Sequence, residues 1–156
     1  MAMINKRLSR KPNLIVITAQ DCGRMFGCYG AATVNTPAID NMAREGVVCS
    51  NLYAASSLSS PSRASMFTGR YPQKNGVMGL CDEPWNWVMN DGEIHLAQLL
   101  KLDGYSTVLF RHQTETSAEL WKSLGFDDFR AKEQSSRRGE KIDSIKAQTA
   151  IKVAKE

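Results

Sequence analysis

The segment 59–70 constrains the local fold of this chain more tightly than any other stretch, since it supplies both a helix start and a helix stop. Pro61 suits the first position of a helix, because its missing N–H needs no partner there and its fixed φ is already helical. Gly69 is the residue type that most often ends a helix in the left-handed conformation. The pattern therefore predicts a short helix with Ser59 and Ser60 at its N-terminus.

The N-terminus of this predicted helix is suited to binding an anion. Unpaired N–H groups and the positive end of the helix dipole meet there, and Arg63 in the first turn could direct its planar guanidinium toward the same point. A structural alternative is that Ser59 only caps the helix and Arg63 lies on its surface. The residues indicate an oxyanion site and leave that alternative open.

The same segment resembles the signature of the type I sulfatases, in which Cys or Ser is followed by x-Pro-x-Arg and then by Thr-Gly-Arg. Residues 11–30 and 36–46 are similar to the opening strand, first metal loop and next helix of that family. The stretches 75–80 and 125–127 resemble the branch that includes heparan N-sulfatase. The resemblance extends from about residue 11 to residue 130 and implies the N-terminal part of a sulfatase.

The resemblance implies a covalent mechanism centred on Ser59. In the family this residue is oxidised to formylglycine, whose hydrated aldehyde attacks the sulfate sulfur, expels the alcohol or amine, and then eliminates sulfate. Arg63 would stabilise the hydrated form. A serine at this position implies, by the same resemblance, a radical-type maturation enzyme as a partner, with a sulfated small molecule or sulfated sugar as the substrate.

A divalent metal, Ca²⁺ or another ion, is implied as the cofactor. Asp21 follows the first strand and resembles a calcium ligand of the family, with Ser59 as a further ligand. Gln20 stands where the family usually has another aspartate, and its carbonyl could still bind the ion without contributing charge. After the strand at 105–110 the family places Lys-x-His, whereas this chain has His112 and Thr114. His112 is therefore a candidate sulfate-binding residue, and Thr114 cannot replace the histidine in proton transfer.

Two other functional classes remain open at this stage. The chain has 156 residues, whereas full sulfatases are several times longer and hold further metal ligands in later sequence. A catalytically inactive, truncated remnant is one alternative, and a phosphate or phosphonate ester hydrolase of the same superfamily is another. A fragment of this kind is expected to expose apolar surface, so we predict self-association or marginal stability.

Charge and hydropathy predict neither a nucleic-acid partner nor a membrane segment. The net charge of +4 comes from basic residues at both ends, without interleaved aromatic residues. The apolar run 14–17 is too short for a signal peptide or for the ~20 residues of a membrane span. We therefore expect a cytoplasmic protein whose four cysteines are buried free thiols.

The order of elements predicts an α/β fold. The patterns indicate strands at 13–18, 47–54 and 105–110, helices at 37–45 and 93–102, and an amphipathic helix in the tail from residue 138. His95 is expected to have a structural role at the start of its helix, and Trp85 and Trp87 to line a sugar-binding rim or pack in a core. Alternating strands and helices favour a mainly parallel sheet flanked by helices, as in alkaline-phosphatase-like folds. Residues 1–10 form a basic tail, and residues 11–156 the truncated domain.

Overall fold

A four-stranded sheet organises the protein. The computed structural model describes residues 11–110, 123–130 and 149–154. The strands are β1 (Leu14–Thr18), β2 (Ser106–Phe110), β3 (Asp128–Arg130) and β4 (Thr149–Ala154), and their order across the sheet is β1-β4-β2-β3.

The sheet is mixed rather than mainly parallel in its pairing. β2 pairs with β3 in parallel, while β4 lies antiparallel between β1 and β2, with Val16 opposite Ile151 and Leu109 opposite Ile151 on the other side. Since β4 is antiparallel to both neighbours, β1, β2 and β3 run in the same direction. The predicted mainly parallel sheet is thus not confirmed, because β4 forms antiparallel hydrogen bonds with both β1 and β2.

All four α-helices of the described residues lie in the segment between β1 and β2, and the last of them packs against β2. They are α1 (Pro37–Glu45), α2 (Ser59–Thr68), the single turn α3 (Pro72–Asn75) and α4 (Leu96–Leu102). In the described part of the chain no helix is long and apolar enough to cross a membrane. The presence of these helices together with the sheet confirms the α/β class predicted from the sequence.

The start of α1 depends on a side-chain cluster rather than on a capping bond. Thr36 lies at the N-cap and Pro37 at the first position, as the sequence predicts. The Thr36 hydroxyl accepts from the N–H of Gly27 at 2.9 Å and bonds to the Asp40 carboxylate, which in turn accepts from the N–H of Cys28 at 2.7 Å. These bonds hold the loop after β1 against α1.

The main core lies between α2, α4 and β2. Its buried members come from each of these elements and from the segment before β3: Phe67, Ala97, Leu109, Leu124 and Phe126. A smaller cluster joins α2 to the segment after α3 through Ala64, Val77 and Cys81. Both clusters contact the helix that carries the signature, so α2 is the most firmly packed helix of the described residues.

Three sequence predictions about elements are wrong. Residues 47–54, all within the described part, form no strand, because no neighbouring strand pairs with them and an isolated strand is unstable. The continuous apolar run at 13–18 predicts a buried strand; β1 forms there but is not buried, since Ile15 and Ile17 remain more than half exposed. The predicted tail helix is contradicted at Thr149 and Val153, which belong to β4. Pairing of β4 with two strands overrides the helical periodicity of its sequence. The earlier residues of the predicted helix lie outside the described part.

The cysteines agree in part with their prediction. All four are free thiols, but only Cys81 is buried, while Cys49 is exposed and Cys22 and Cys28 are half-buried. The exposure of Cys49 follows from the absence of the predicted strand at 47–54, since an unpaired segment leaves its side chains at the surface.

Candidate active site

Helix α2 begins earlier than the proline predicted. Ser59 is its first residue, so Pro61 occupies the third position rather than the first. The first turn tolerates this, because none of the first four N–H groups of a helix has a partner within the helix. Gly69 ends the helix as expected, with φ +68° and its N–H bonded to the carbonyl of Ser65 at 2.9 Å.

Ser59 and Arg63 lie on the same side of α2, because residues four apart in a helix are neighbours on its surface. Ser59 is half-buried, whereas Arg63 is only 6% exposed. Two hydrogen bonds orient the guanidinium: Nη1 donates to the hydroxyl of Thr18 at 2.9 Å, and Nη2 donates to the side-chain oxygen Oε1 of Gln20 at 3.3 Å. The signature helix is therefore joined to the carboxyl end of β1.

Two of the three candidate metal ligands, Gln20 and Asp21, lie just after β1. Gln20 donates from Nε2 to Oδ1 of Asp21 at 3.3 Å. Asp21 is exposed and has φ +54°, a left-handed conformation that aspartate tolerates better than most residues. The carboxyl end of a strand in an α/β sheet is where such folds place ligands.

These residues fit a calcium ion in part. The exposed carboxylate of Asp21 is the hard oxygen ligand that calcium prefers. Gln20 directs its oxygen to Arg63 and its NH₂ group to Asp21, so its oxygen reaches an ion beside Asp21 only after the carboxamide turns. Among the described residues no group of three or more His, Cys, Asp or Glu side chains surrounds this point.

The structure thus brings Arg63, Gln20 and Asp21 together, with Ser59 one turn before Arg63 on α2. His112 and Thr114 lie outside the described residues.

Sequence reasoning missed the residues that position this group. Thr18 holds Arg63, and the buried hydroxyl of Ser60 accepts from the N–H of Cys81 at 3.1 Å, which ties the start of α2 to a distant loop. Asn75 is buried, donates to the carbonyl of Arg70 and accepts from the N–H of Val77. The only local signal was for Asn75, which precedes a glycine at a helix end.

The end of the signature is anchored by an ion pair. Arg70 donates from Nη1 to Oε1 of Glu93 at 2.7 Å, and the side chain of Glu93 is only 4% exposed. This pair connects the turn after α2 with the segment that leads into α4. Since the two residues are far apart in sequence, no pattern in the sequence predicts their contact.

His95 and the two tryptophans have different environments. His95 is buried at the N-cap of α4, where Nδ1 accepts from the N–H of Ala97 at 3.0 Å, and its ring lies between Phe67 and Phe126. Its predicted structural role is confirmed, at the cap. Trp85 and Trp87 are 60% and 42% exposed, which disagrees with the alternative that they fill a core.

Comparison with known proteins decides the family. The model of the sulfatase family matches residues 12–145. The chain belongs to the sulfatase family. The matched residues correspond to the N-terminal part of a sulfatase, as the signature around Ser59 predicts.

Several characterised sulfatases are similar to this chain. An N-acetylgalactosamine-6-O-sulfatase from Bacteroides thetaiotaomicron is 39% identical over 104 residues, which cover 66% of this chain and 20% of that protein. An ulvan-active sulfatase from Formosa agariphila is 44% identical over 70 residues, 44% of this chain and 14% of that protein. The human steryl-sulfatase is 40% identical over 111 residues, 64% of this chain and 18% of that protein.

The chain therefore spans about a fifth or less of the length of these sulfatases. The narrower prediction of a place beside heparan N-sulfatase is tested by none of these matches and stays a prediction.

Proposed function

We propose that this chain belongs to a hydrolase of sulfate esters or N-sulfates that uses Ser59, converted to formylglycine, as its nucleophile. The observation that carries the proposal is the fixed guanidinium of Arg63, one helical turn from Ser59 and bonded to Thr18 and Gln20. When present, the formylglycine supplies an aldehyde hydrate whose hydroxyl is a nucleophile toward sulfur. The substrate class is a sulfated small molecule or sulfated sugar.

The protein's own residues bind and orient the sulfate. The first N–H groups of α2 and the guanidinium of Arg63 are donors of the kind that hold an oxyanion. Thr18 and Gln20 keep the guanidinium from turning, so the direction of its positive charge is fixed. Such preorganised donors stabilise charge that develops on the sulfate oxygens. His112 is proposed as a further sulfate-binding residue.

A divalent metal, with Ca²⁺ as the first choice, is proposed at Asp21. Asp21 and Ser59 would hold the ion, and Gln20 would join them once its carboxamide has turned. The ion would supply positive charge that attracts the sulfate to the site. The alkaline-phosphatase-like fold with a mainly parallel sheet is also a proposal, supported by the common direction of β1, β2 and β3.

The test is peptide mass spectrometry of the protein purified from its native host. Trypsin releases the peptide from residue 45 to Arg63, and conversion of Ser59 makes it lighter by two hydrogens, with fragment ions locating the change. Ser59→Ala should abolish the loss, and Ser62→Ala, on the same helix, should keep it. An unmodified Ser59 in active protein would contradict the proposal.

A second candidate is a catalytically inactive relative. The position of Gln20 favours it, because the side chain in place of a metal-binding carboxylate bonds to Arg63. An unmodified Ser59 together with no hydrolysis of sulfate esters by the native protein would support this candidate. Hydrolysis of phosphate or phosphonate esters instead would indicate the related hydrolase class.

A further inference from the structure

Two tryptophans lie exposed in a loop whose ends are both packed into the protein. The tryptophan loop, residues 81–89, begins at the buried Cys81 and ends at Met89, which packs against both core clusters. Between these ends every residue is exposed, and Trp85 and Trp87 are 60% and 42% exposed. Tryptophan is highly buried on average, so two exposed indoles on an anchored loop indicate a surface that binds a ligand.

The tryptophan loop lies against the start of α2. The N–H of Cys81 donates to the hydroxyl of Ser60 at 3.1 Å, and Ser60 follows Ser59 in the first turn of that helix. Cys81 also packs in one cluster with Ala64 of the same helix. The loop therefore borders the end of α2 that carries the proposed nucleophile and the first N–H groups.

Hydrogen bonds at the base of the loop hold the backbone of both tryptophans. The N–H of Trp85 donates to the carbonyl of Asp82 at 3.1 Å, and the N–H of Trp87 donates to that of Leu80 at 3.1 Å. The indole of Trp87 packs directly against Gly79, where an added Cβ would lie 2.5 Å from Nε1 of the ring. The loop is therefore preorganised, which lowers the entropy that binding would cost.

The composition of the tryptophan loop favours a neutral sugar ring as its ligand. The face of an indole carries partial negative charge and attracts the C–H groups on one face of a sugar ring. Asp82 and Glu83 are the only charged residues of the loop, and their carboxylates repel sulfate groups. A wholly apolar ligand would need an enclosed pocket to bury its surface, whereas these indoles lie open to water.

We propose that Trp85 and Trp87 bind an unsulfated sugar ring next to the sulfated ring that occupies the proposed sulfate site. The substrate is then a sparsely sulfated glycan, whose sulfate lies at the start of α2 while the neighbouring ring stacks on the tryptophan loop. A densely sulfated chain binds less well, because its next sulfate group meets Asp82 and Glu83. This inference rests on the proposed function and narrows its substrate class to one kind of glycan.

The test titrates three galactose tetrasaccharides into the full 156-residue chain and follows the indole N–H signals by NMR. One tetrasaccharide is neutral, one carries a single terminal sulfate, and one is sulfated on every ring. We expect the singly sulfated form to bind at least about fivefold more tightly than the fully sulfated form, because like charges repel. Trp85→Ala and Trp87→Ala should each weaken its binding about fivefold, the size of one aromatic contact, with the remaining indole as the probe.

Val88→Ala is the matched control, because Val88 is an exposed apolar residue of the same loop that has no ring. This variant should bind the singly sulfated form as the wild type does. Trp85→Tyr keeps an aromatic face and should retain most of the affinity that Trp85→Ala loses. The signals of Trp85 and Trp87 are assigned by their loss in the two alanine variants.

Affinities that are unchanged in both alanine variants overturn the inference and leave the proposed function intact. Tightest binding of the fully sulfated form also overturns it, as does a response of the indoles to a steroid sulfate and to no tetrasaccharide. Equal binding of the neutral and singly sulfated forms, lost in the alanine variants, supports the sugar site and counts against the proposed function. If the alanine variants do not fold, as judged by circular dichroism, the wild-type indole signals decide, and their failure to shift with any tetrasaccharide overturns the inference.

Discussion

Arg63 shows how a single buried charge can be held ready for a ligand. A guanidinium that is 6% exposed is costly unless its N–H groups have partners. Thr18 and Gln20 provide two of these partners and are both neutral, so these bonds fix the direction of the guanidinium without cancelling its charge. A lysine at this position would lack the fixed fork and could not make both bonds with one geometry.

The fold lowers the pKa of Asp127, and this gives a prediction for acid solution. The hydrogen bond from Lys101 at 2.7 Å is the main cause that lowers the pKa of its carboxyl, and the bond from the N–H of Thr107 at 2.9 Å acts in the same direction. A carboxyl with a lowered pKa in the folded state stabilises the fold above its unfolded pKa. This contribution is lost as the pH falls through the folded pKa.

We therefore expect the free energy of unfolding to fall less between neutral and acid pH in Asp127→Asn than in the wild type. The loss at neutral pH should be less than about 1 kcal/mol, because the pair with Lys101 is exposed to solvent and screened. Urea unfolding at neutral pH and at about pH 3 measures this difference. Asp91→Asn, the same change at an exposed turn residue, is the matched control.

At the scale of elements, two glycines near α4 allow the cost of a strained backbone to be distinguished from the cost of a steric clash. Gly104 and Gly125 have φ of +80° and +90°, so alanine is strained at both. A Cβ on Gly104 would meet nothing within 4 Å, whereas one on Gly125 would lie 2.7 Å from the backbone Cα and N of Gln98. At Gly125 the segment before β3 therefore lies close against the backbone of α4.

Gly125→Ala should therefore cost about 1–3 kcal/mol more than Gly104→Ala, which is the magnitude of overpacking in a core. The free energies of unfolding of the two variants in urea provide the measurement. Equal losses would mean that the approach of this segment to α4 is looser than the structure shows.

The sequence predicted those elements whose ends carry local signals. Pro37 and Gly46 mark α1, Gly69 ends α2, and Gly104 follows α4, and each of these residues acts on the backbone within a few residues of itself. The strand expected at 47–54 and the tail helix expected where β4 lies were wrong, because strand formation depends on neighbouring strands that are distant in sequence. The partners of Arg63 lie 43 and 45 residues away, so the motif predicted its importance but not what holds it.

At the scale of the whole molecule, apolar side chains cover much of the surface of the described residues. The most exposed among them include Val47, Leu52 and Tyr53, which are 91%, 80% and 85% exposed and belong to one segment between α1 and α2. Large apolar patches on a protein surface mark contacts with other protein surfaces. This agrees with the self-association expected from the sequence, which stays a prediction.

We expect the wild-type chain to sediment as a concentration-dependent mixture, and a variant with polar residues at Val47, Leu52 and Tyr53 to shift toward the monomer. A control variant with conservative changes at the exposed polar residues Ser50, Asn51 and Ser57 of the same segment should behave as the wild type does. A wild-type protein that sediments as a monomer and melts in one sharp transition would contradict this prediction.

The buried amide of Asn75 has a consequence for the ageing of the protein. Asn followed by Gly is the dipeptide that deamidates most readily, because the backbone nitrogen of the glycine attacks the amide carbon of the asparagine. Here the side chain of Asn75 is fully buried, with its Nδ2 bonded to the carbonyl of Arg70 and its Oδ1 to the N–H of Val77, so it cannot rotate into position for that attack. Deamidation at Asn75 therefore requires local opening. The slow rate at which deamidated protein accumulates on storage thus reports how often the segment after the signature helix unfolds.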